Sequence, residues 1–359
     1  MDLETRIELV KSVACEIVTE EDLRTLFETK SNPVAYDGFE PSGLAHLPVG
    51  VYRPLVIEKL MKAGIRFKLL LADTFAWINN KMGGDLEKIR DAGRYFVEVW
   101  RAAGVDLSRV EVVWHKDLFD DPEYWKKVIL IAKNTTMKRT VRALTVAGRL
   151  DSESNPTAFL FYPIMQCADI FQLGVDICQL GIDQRKVNVL AREVASILNA
   201  PKPIAIHHPL LLGLSGVSGP KGFDENTAID TMISSKMSKS IPESAIFVHD
   251  SFEEIRSKLR RAFCPQKDVK NPVIDLAEKI VFPKFGELVV ETKKGDVITF
   301  GSIWELKSAY LEEKIHPLDL KESLANYLEK LIRPIREHFE KDRRARELYE
   351  KVRSFEVTR

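Results

Sequence analysis

Seven residues, SSKMSKS at 234 to 240, set two lysines and four serines around one methionine just after an apolar, glycine-rich segment. A lysine ammonium is a compact charge on a flexible stem, able to close on a phosphate as negative charge develops there. The bland alternative is a solvated polar loop. A second constellation lies in YPIMQCAD (162–169). At 100° per residue Tyr162, Gln166, Asp169 and Leu173 share one helical face, and Pro163 suits the first position of that helix. On an ordinary amphipathic helix such a stripe meets solvent. Here Met165 and Ile170 flank it, and buried polar groups need partners, so an aromatic, an amide and a carboxylate could line a pocket for a small ligand with an amino group. Further on, LGVDICQLGIDQRK reads as a buried strand, a tight turn at Gly181 and a helix starting near Asp183. Asp183 and Gln184 then stand at the carboxyl edge of a sheet, where open α/β folds bind ligands. Asp183 could accept from ribose hydroxyls or simply cap the helix.

The elements that must position these residues follow from periodicity. The first 30 residues read as helices, with Thr19 and Asp22 forming a capping-box-like start. NPVAYDGFEPSG is a short strand running into a Gly/Pro-bounded loop, and a helix pattern follows from Pro48 to Lys62, with a kink or late start at Pro54. IRFKLLLAD and RVEVVWHK are apolar runs short enough for buried strands, each followed by helical sequence. The alternation predicts an α/β, Rossmann-type, doubly wound parallel sheet, although neither GxGxxG nor GxxxxGK[ST] is present. GLSGVSGPKG (213–222) reads as a mobile loop. After about Pro242 the pattern is helical, most clearly from Asp319, where Asp319 with Glu322 makes a second capping box. Leu320, Leu324, Leu328, Leu331, Ile335 and Phe339 then form one seam, kinked at Pro334. The division expected is an α/β domain at 1–245, with a helical insertion at about 115–160, and a helical domain at 246–359.

Bulk composition limits the function classes. The 359 residues carry 53 basic and 53 acidic side chains, so no global field draws the chain to nucleic acid or an anionic membrane. Local asymmetry survives: KNTTMKRTVRALTVAGRL (133–150) holds five basic residues and no acid, a solvated face or an RNA-contacting one. The N-terminus is unlike a signal peptide, and no apolar run approaches the roughly 20 residues of a membrane span, which implies a soluble cytoplasmic protein. The four cysteines form no CxxC pair, so reduced thiols and no structural zinc are expected.

KMSKS together with GFEPSGLAHL (38–47), and with YPIMQCAD and LGIDQRK between them, resembles the signature set of the class I aminoacyl-tRNA synthetases, tyrosyl branch, archaeal and eukaryotic type. The resemblance covers essentially the whole chain. It implies ATP-dependent activation of L-tyrosine to the adenylate and transfer to the 3′-terminal ribose of tRNA(Tyr), with Mg²⁺ accompanying ATP and a homodimer as the working unit. The attacking groups in such a reaction belong to the substrates, so catalysis reduces to positioning and stabilisation of phosphate charge.

By the same resemblance Lys236 and Lys239 hold the phosphates, while Met237 and Ser240 shape their loop. His46 matches the first histidine of the family's HIGH motif and would donate to a phosphate oxygen. HLPVG departs from that motif, with Pro48 at the small position and Val49 in place of the second histidine, so backbone amides near Gly50 are expected to make up the contact. Gly38 and Gly43 would let the chain pass close to ATP. Tyr36 and Asp169 would meet the substrate phenol, Leu70 its ring, and Tyr162, Gln166 and Gln184 its α-amino group. Arg139, Arg185 and Lys186 would face the acceptor stem of a tRNA lying across two subunits, and Phe285, His316 and Asp319 the anticodon. The rivals are the tryptophanyl branch, disfavoured because an indole offers one donor and no acceptor; a catalytically silent RNA-binding relative, favoured only by HLPVG; and a nucleotidyltransferase for another acid, which leaves the long helical tail unexplained.

Overall fold

The computed structural model describes residues 1–148 and 155–355. Arg149 and Leu150, the end of the basic stretch, lie outside the described residues, as does part of the expected insertion. Six strands form the central sheet: β1 (Glu16–Val18), β2 (Val34–Phe39), β3 (Arg66–Leu71), β4 (Val110–Trp114), β5 (Ile177–Gly181) and β6 (Ile204–His208), in the order β1-β6-β5-β2-β3-β4. All neighbours pair in parallel except β1, which runs antiparallel to β6. The fold is α/β, with the central strands buried between helical layers; all five residues of β5 are buried, whereas at the edges β1 has no buried residue and β4 only Val110. The chain winds outward from β2 through β3 to β4 on one side and from β5 to β6 on the other, so the strand order reverses between β2 and β5.

β1 corrects the purely helical reading of the first 30 residues. Three residues are too few to show alternation, and what holds this edge is tertiary. The Cys15 amide donates to the His207 carbonyl (2.8 Å), and Glu16 accepts from Arg185 (2.8 Å) and pairs with His207 (2.7 Å). A second correction concerns Pro163, which does not start its helix. The helix runs Ala158–Gln172, and Pro163 sits inside it. Proline there forfeits one backbone bond, but Phe159, Tyr162, Ile164 and Met165 are all buried, and that packing outweighs the loss.

Beyond residue 251 the helices Phe252–Arg261, Ile303–Leu311, Pro317–Lys341 and Arg343–Arg353 are joined by a hairpin absent from the sequence reading, β7 (Leu288–Glu291) with β8 (Val297–Phe300). The long helix is capped by His316, whose Nδ1 accepts from the Leu318 amide (3.2 Å); Asp319 is buried in the first turn and is not the cap. The helix continues through Pro334, and Ile332 is fully buried beside a half-buried Leu331, which shifts the expected seam by one residue. One hydrophobic cluster includes Val51, Tyr95 and Val99 from the sheet side and Ile255, Leu328 and Phe339 from these helices. A second cluster on the other face gathers Tyr36, Leu70, Tyr124, Tyr162 and Cys178. Among the described residues no helix is long and apolar enough to cross a membrane.

Candidate active site

The two clusters leave between them an open cleft of about 410 Å³ at the carboxyl ends of β2, β3, β5 and β6, at the switch point of the sheet. Both signature stretches reach it: His46, Pro48 and Val49 from one side, residues 236 to 240 from the other. They are stitched together by backbone. The Leu47 amide donates to the Ile246 carbonyl (2.9 Å) and the Val248 amide to the Ala45 carbonyl (3.1 Å), so the segment after KMSKS pairs with the segment carrying His46.

At the inner end stand Tyr36 from β2, Leu70 from β3, and Tyr162, Gln166 and Asp169 from one face of the helix Ala158–Gln172. Tyr162 and Asp169 are buried, which overturns the solvent-face alternative for this stripe. Asp169 Oδ1 accepts from the Tyr124 hydroxyl (2.8 Å) and from His115 Nε2 (2.9 Å), while Oδ2 has no hydrogen-bond partner among the described residues. The Tyr36 hydroxyl and Gln166 Oε1 are likewise buried and unpartnered among them. Burial, with Cys178 and Asp169 nearby, pushes the Tyr36 phenol well above its ordinary pKa, so it stays a neutral donor. Gln166 Nε2 donates to Gln184 Oε1 (3.0 Å), and Gln184 Nε2 to the Val146 carbonyl (3.1 Å); this chain of amides turns Gln166 Oε1 into the free acceptor. Three unmatched polar atoms in a buried pocket would each be costly unless a ligand meets them.

At the outer end the charges are arranged differently. Lys236 Nζ is paired with Asp183 Oδ2 at 2.6 Å. Asp183 thus does not cap the helix Arg185–Val194; it lies in the short turn Ile182–Gln184 and faces the lysine. Lys239 sits 5.3 Å over the Phe96 ring, its pKa pulled down to about 7 mainly by burial, then by Lys81, with Glu40 pulling the other way. His46 is buried with Nδ1 unpartnered among the described residues; burial and then Lys239 hold its pKa down to about 3, so the ring is neutral at working pH. Met237 is buried and its amide donates to the Leu211 carbonyl (2.7 Å), anchoring the loop, whereas Ser240 is exposed at the rim.

Several expectations need correction. The amides near Gly50 are not free for a phosphate, because Val49 N and Gly50 N both donate to the His46 carbonyl (3.0 and 2.9 Å). Gly50 is needed for packing instead: a Cβ there would stand 2.4 Å from Val248 Cγ1. Gly38 lines the cleft, but Gly43 does not; its φ of +102° is what demands glycine. The glycine-rich loop read as mobile is pinned, with the amides of Lys221, Gly222 and Phe223 donating to the Asp230 carboxylate (3.2, 2.7 and 3.1 Å) and Ser218 N to Ser235 Oγ (2.8 Å).

The expected tRNA-facing cations gather around a second hollow of about 240 Å³, but acids from elsewhere in the chain meet them. Arg139 pairs with Glu193 (3.1 Å), Arg142 with Glu225 (2.9 Å), Arg185 with Glu16 (2.8 Å), and Lys186 with Glu225 and Asp224 (3.5 and 3.7 Å). His316 is exposed and Asp319 buried, while Phe285 packs edge-on against Tyr327 (5.0 Å).

Sequence reasoning missed several residues. Glu40, inside the quoted GFEPSG, accepts from the Tyr162 hydroxyl and from Asn79 Nδ2 (2.9 Å). Arg53 is clamped beneath the cleft, its Nε donating to buried Asp37 (2.7 Å), its Nη2 to the Gly38 carbonyl (3.0 Å), and its guanidinium 3.8 Å over Phe39. His208 lines the cleft and is paired with Gln179 (2.8 Å). No local pattern marks these residues, because their partners lie on other elements.

Comparison with known proteins gives one consistent result. The family model for class I tRNA synthetases (W and Y) matches residues 28–333. The chain is 42% identical to the cytoplasmic tyrosine–tRNA ligase 1 of Arabidopsis thaliana, over 100% of this chain and 90% of that protein, and 44% identical to the tyrosine–tRNA ligase of Thermococcus gammatolerans, over 98% and 99%. Among solved structures, the tyrosyl-tRNA synthetase of Pyrococcus horikoshii complexed with L-tyrosine superposes with a TM-score of 0.89 at 42% identity, covering 98% of this chain and 100% of that one. With matches of that extent over a cleft carrying both signature stretches, the chain belongs to the class I aminoacyl-tRNA synthetases and, within them, to the tyrosyl-tRNA synthetases of archaeal and eukaryotic type.

Proposed function

We propose that this cleft activates L-tyrosine with ATP and transfers the tyrosyl group to tRNA(Tyr). The observation that carries the reading is the set of buried polar atoms left unmatched at the inner end, Tyr36 Oη, Asp169 Oδ2 and Gln166 Oε1. A phenol donates one hydrogen bond and accepts another, which suits Asp169 and Tyr36; an ammonium suits Gln166 Oε1 and Glu40. Phenylalanine would leave the first pair unsatisfied in a dry pocket, and tryptophan's indole offers a donor but no acceptor.

Bound this way, the tyrosine carboxylate points toward the outer end, where ATP lies between the His46 and KMSKS segments. The carboxylate attacks the α-phosphate, and pyrophosphate leaves as negative charge builds on its oxygens. Lys236 and Lys239 meet that charge, His46 donates as a neutral ring, and Asp183, once released by Lys236, is free for the ribose hydroxyls. The terminal ribose hydroxyl of the tRNA then takes the acyl group from the adenylate. Mg²⁺ would enter with ATP and offset part of the phosphate charge.

The acceptor stem is assigned to the Arg139, Arg142, Arg185 and Lys186 surface, where phosphates would replace the carboxylates now paired there, and the anticodon to His316, Asp319 and Phe285. Exposed Ile129 and Met137 on the insertion, with exposed Phe161 on the helix Ala158–Gln172 that follows it, support a homodimer built through that region. The catalytic unit is taken as 1–245 and the anticodon-binding unit as 246–359, and the cytoplasm is the compartment that fits relatives such as the Arabidopsis enzyme.

The test is ATP–pyrophosphate exchange with each of the twenty amino acids, on the wild type and on Asp169→Ala. Exchange with tyrosine alone, lost in the variant, is the expected result. Exchange with tryptophan would overturn the pocket assignment, and tRNA binding without exchange would move the chain to an RNA-binding role.

A further inference from the structure

Behind the Asp169 carboxylate, on the side away from the cleft, stand two side chains that do not line it, His115 and Tyr124. His115 is the first residue after β4, at the carboxyl edge of the sheet, and is completely buried. Its Nε2 lies 2.9 Å from Asp169 Oδ1 and 3.0 Å from the Tyr124 hydroxyl, and that hydroxyl lies 2.8 Å from the same Oδ1 and 3.1 Å from the Met165 carbonyl. Nδ1 has no partner among the described residues, so Nε2, the nitrogen facing an acceptor, carries the proton. The ring is held from turning by Phe75, edge-on at 4.5 Å, which lines the cleft and packs in turn on Tyr162 at 4.6 Å.

Two donors on one carboxylate oxygen decide what the other can do. With Oδ1 saturated from behind, the carboxylate cannot rotate without stranding a buried donor, and Oδ2 is left facing the pocket as a single aimed acceptor. We propose that His115 is a positioning residue for amino-acid selection: by fixing the Asp169 carboxylate through Oδ1, it aims Oδ2 at the phenol and so sets the preference for tyrosine over phenylalanine. The proposal rests on the reading of Asp169 as the phenol's acceptor. It separates His115 from a merely space-filling residue, because phenylalanine has no hydroxyl to sense where Oδ2 points. Loosening of the pocket would weaken both amino acids; misaiming Oδ2 weakens tyrosine alone.

The experiment is ATP–pyrophosphate exchange on the full chain with tyrosine and with phenylalanine, for the wild type, Asp169→Asn, His115→Leu, His115→Phe and His115→Gln, alongside thermal melts. Removing the donor in His115→Leu should raise the tyrosine KM by about 10- to 100-fold, the range expected for a hydrogen bond to a charged group. Saturating kcat and the phenylalanine kcat/KM should stay close to wild type, so the tyrosine/phenylalanine ratio falls by the same factor. His115→Gln, which keeps a donor at the reach of Nε2, should recover most of it. Should the leucine variant fail to fold, His115→Phe keeps an aromatic ring against Phe75, removes the donor and gives the same readout. A ratio unchanged in these variants while Asp169→Asn collapses it overturns the proposal, as does an equal loss for both amino acids. A ratio unchanged in Asp169→Asn itself would instead overturn the phenol assignment.

Discussion

The inner and outer ends of the cleft are built on opposite principles. At the inner end every support is in place: Asp169 is gripped from behind, Gln166 is aligned by Gln184, and the unmatched atoms face inward. At the outer end the charges are engaged with the protein itself, Lys236 with Asp183 and Lys239 half-buried over Phe96. The difference teaches how the work divides. A pocket that must reject a near-isostere gains from rigidity, because a buried acceptor left unpaired penalises the wrong ligand. A site that must stabilise charge only as it develops gains from cations that change partners during the reaction.

The largest effect should come from breaking the outer end alone. Lys236→Ala or Lys239→Ala is expected to lower kcat for pyrophosphate exchange by about 10²–10³-fold, the range for removing a group that meets transition-state charge. The tyrosine KM should hold in both. A tyrosine KM that rose in step with the fall in kcat would show the two ends to be one unit.

An intermediate effect should appear in the pH profile. With its pKa down at about 7 in the free site, Lys239 is a cation below that pH and loses its proton above it. The kcat/KM for ATP should therefore fall as pH rises through 7, by about tenfold one unit higher, and the fall should vanish in Lys239→Arg, whose guanidinium stays charged. The kcat/KM for tyrosine, measured at saturating ATP, should stay flat because bound phosphate restores the ammonium. A tyrosine profile that titrates together with the ATP profile would remove the contrast. The smallest change should come from Tyr36→Phe, which takes one neutral hydrogen bond from the inner end: a rise of about 3- to 10-fold in tyrosine KM, with ATP parameters unmoved.

Much of this arrangement was readable in one dimension. β2, β3 and β5 are short runs whose length and flanks mark buried strands, β4 forms as read but at the sheet edge with only Val110 buried, and Tyr162, Gln166 and Asp169 share a face by helical geometry alone. Where the reading failed, the competing interaction came from far along the chain. Asp319 with Glu322 has the spacing of a capping box, but His316, fixed next to Pro317, takes the cap, and Asp319 is buried. Gly50 looked like an open amide beside a phosphate; its amide is spent on His46, and Val248 leaves no room for a Cβ. The basic stretch from Lys133 counts as a positive patch only while Glu193 and Glu225 are out of view.

The sequence by itself determined the alternating elements, the order of the signature segments and the residue types at both ends of the cleft, because each is encoded in spacing along one strand, one helix or one loop. The tertiary structure alone decided that His115 and Tyr124 grip Asp169, that Glu40 meets Tyr162, and that Asp183 holds Lys236. Those pairings join residues separated by 45 to 122 positions. No local periodicity carries such contacts; they exist only once the sheet brings its carboxyl ends together and burial makes every polar atom there find a partner or wait for a ligand.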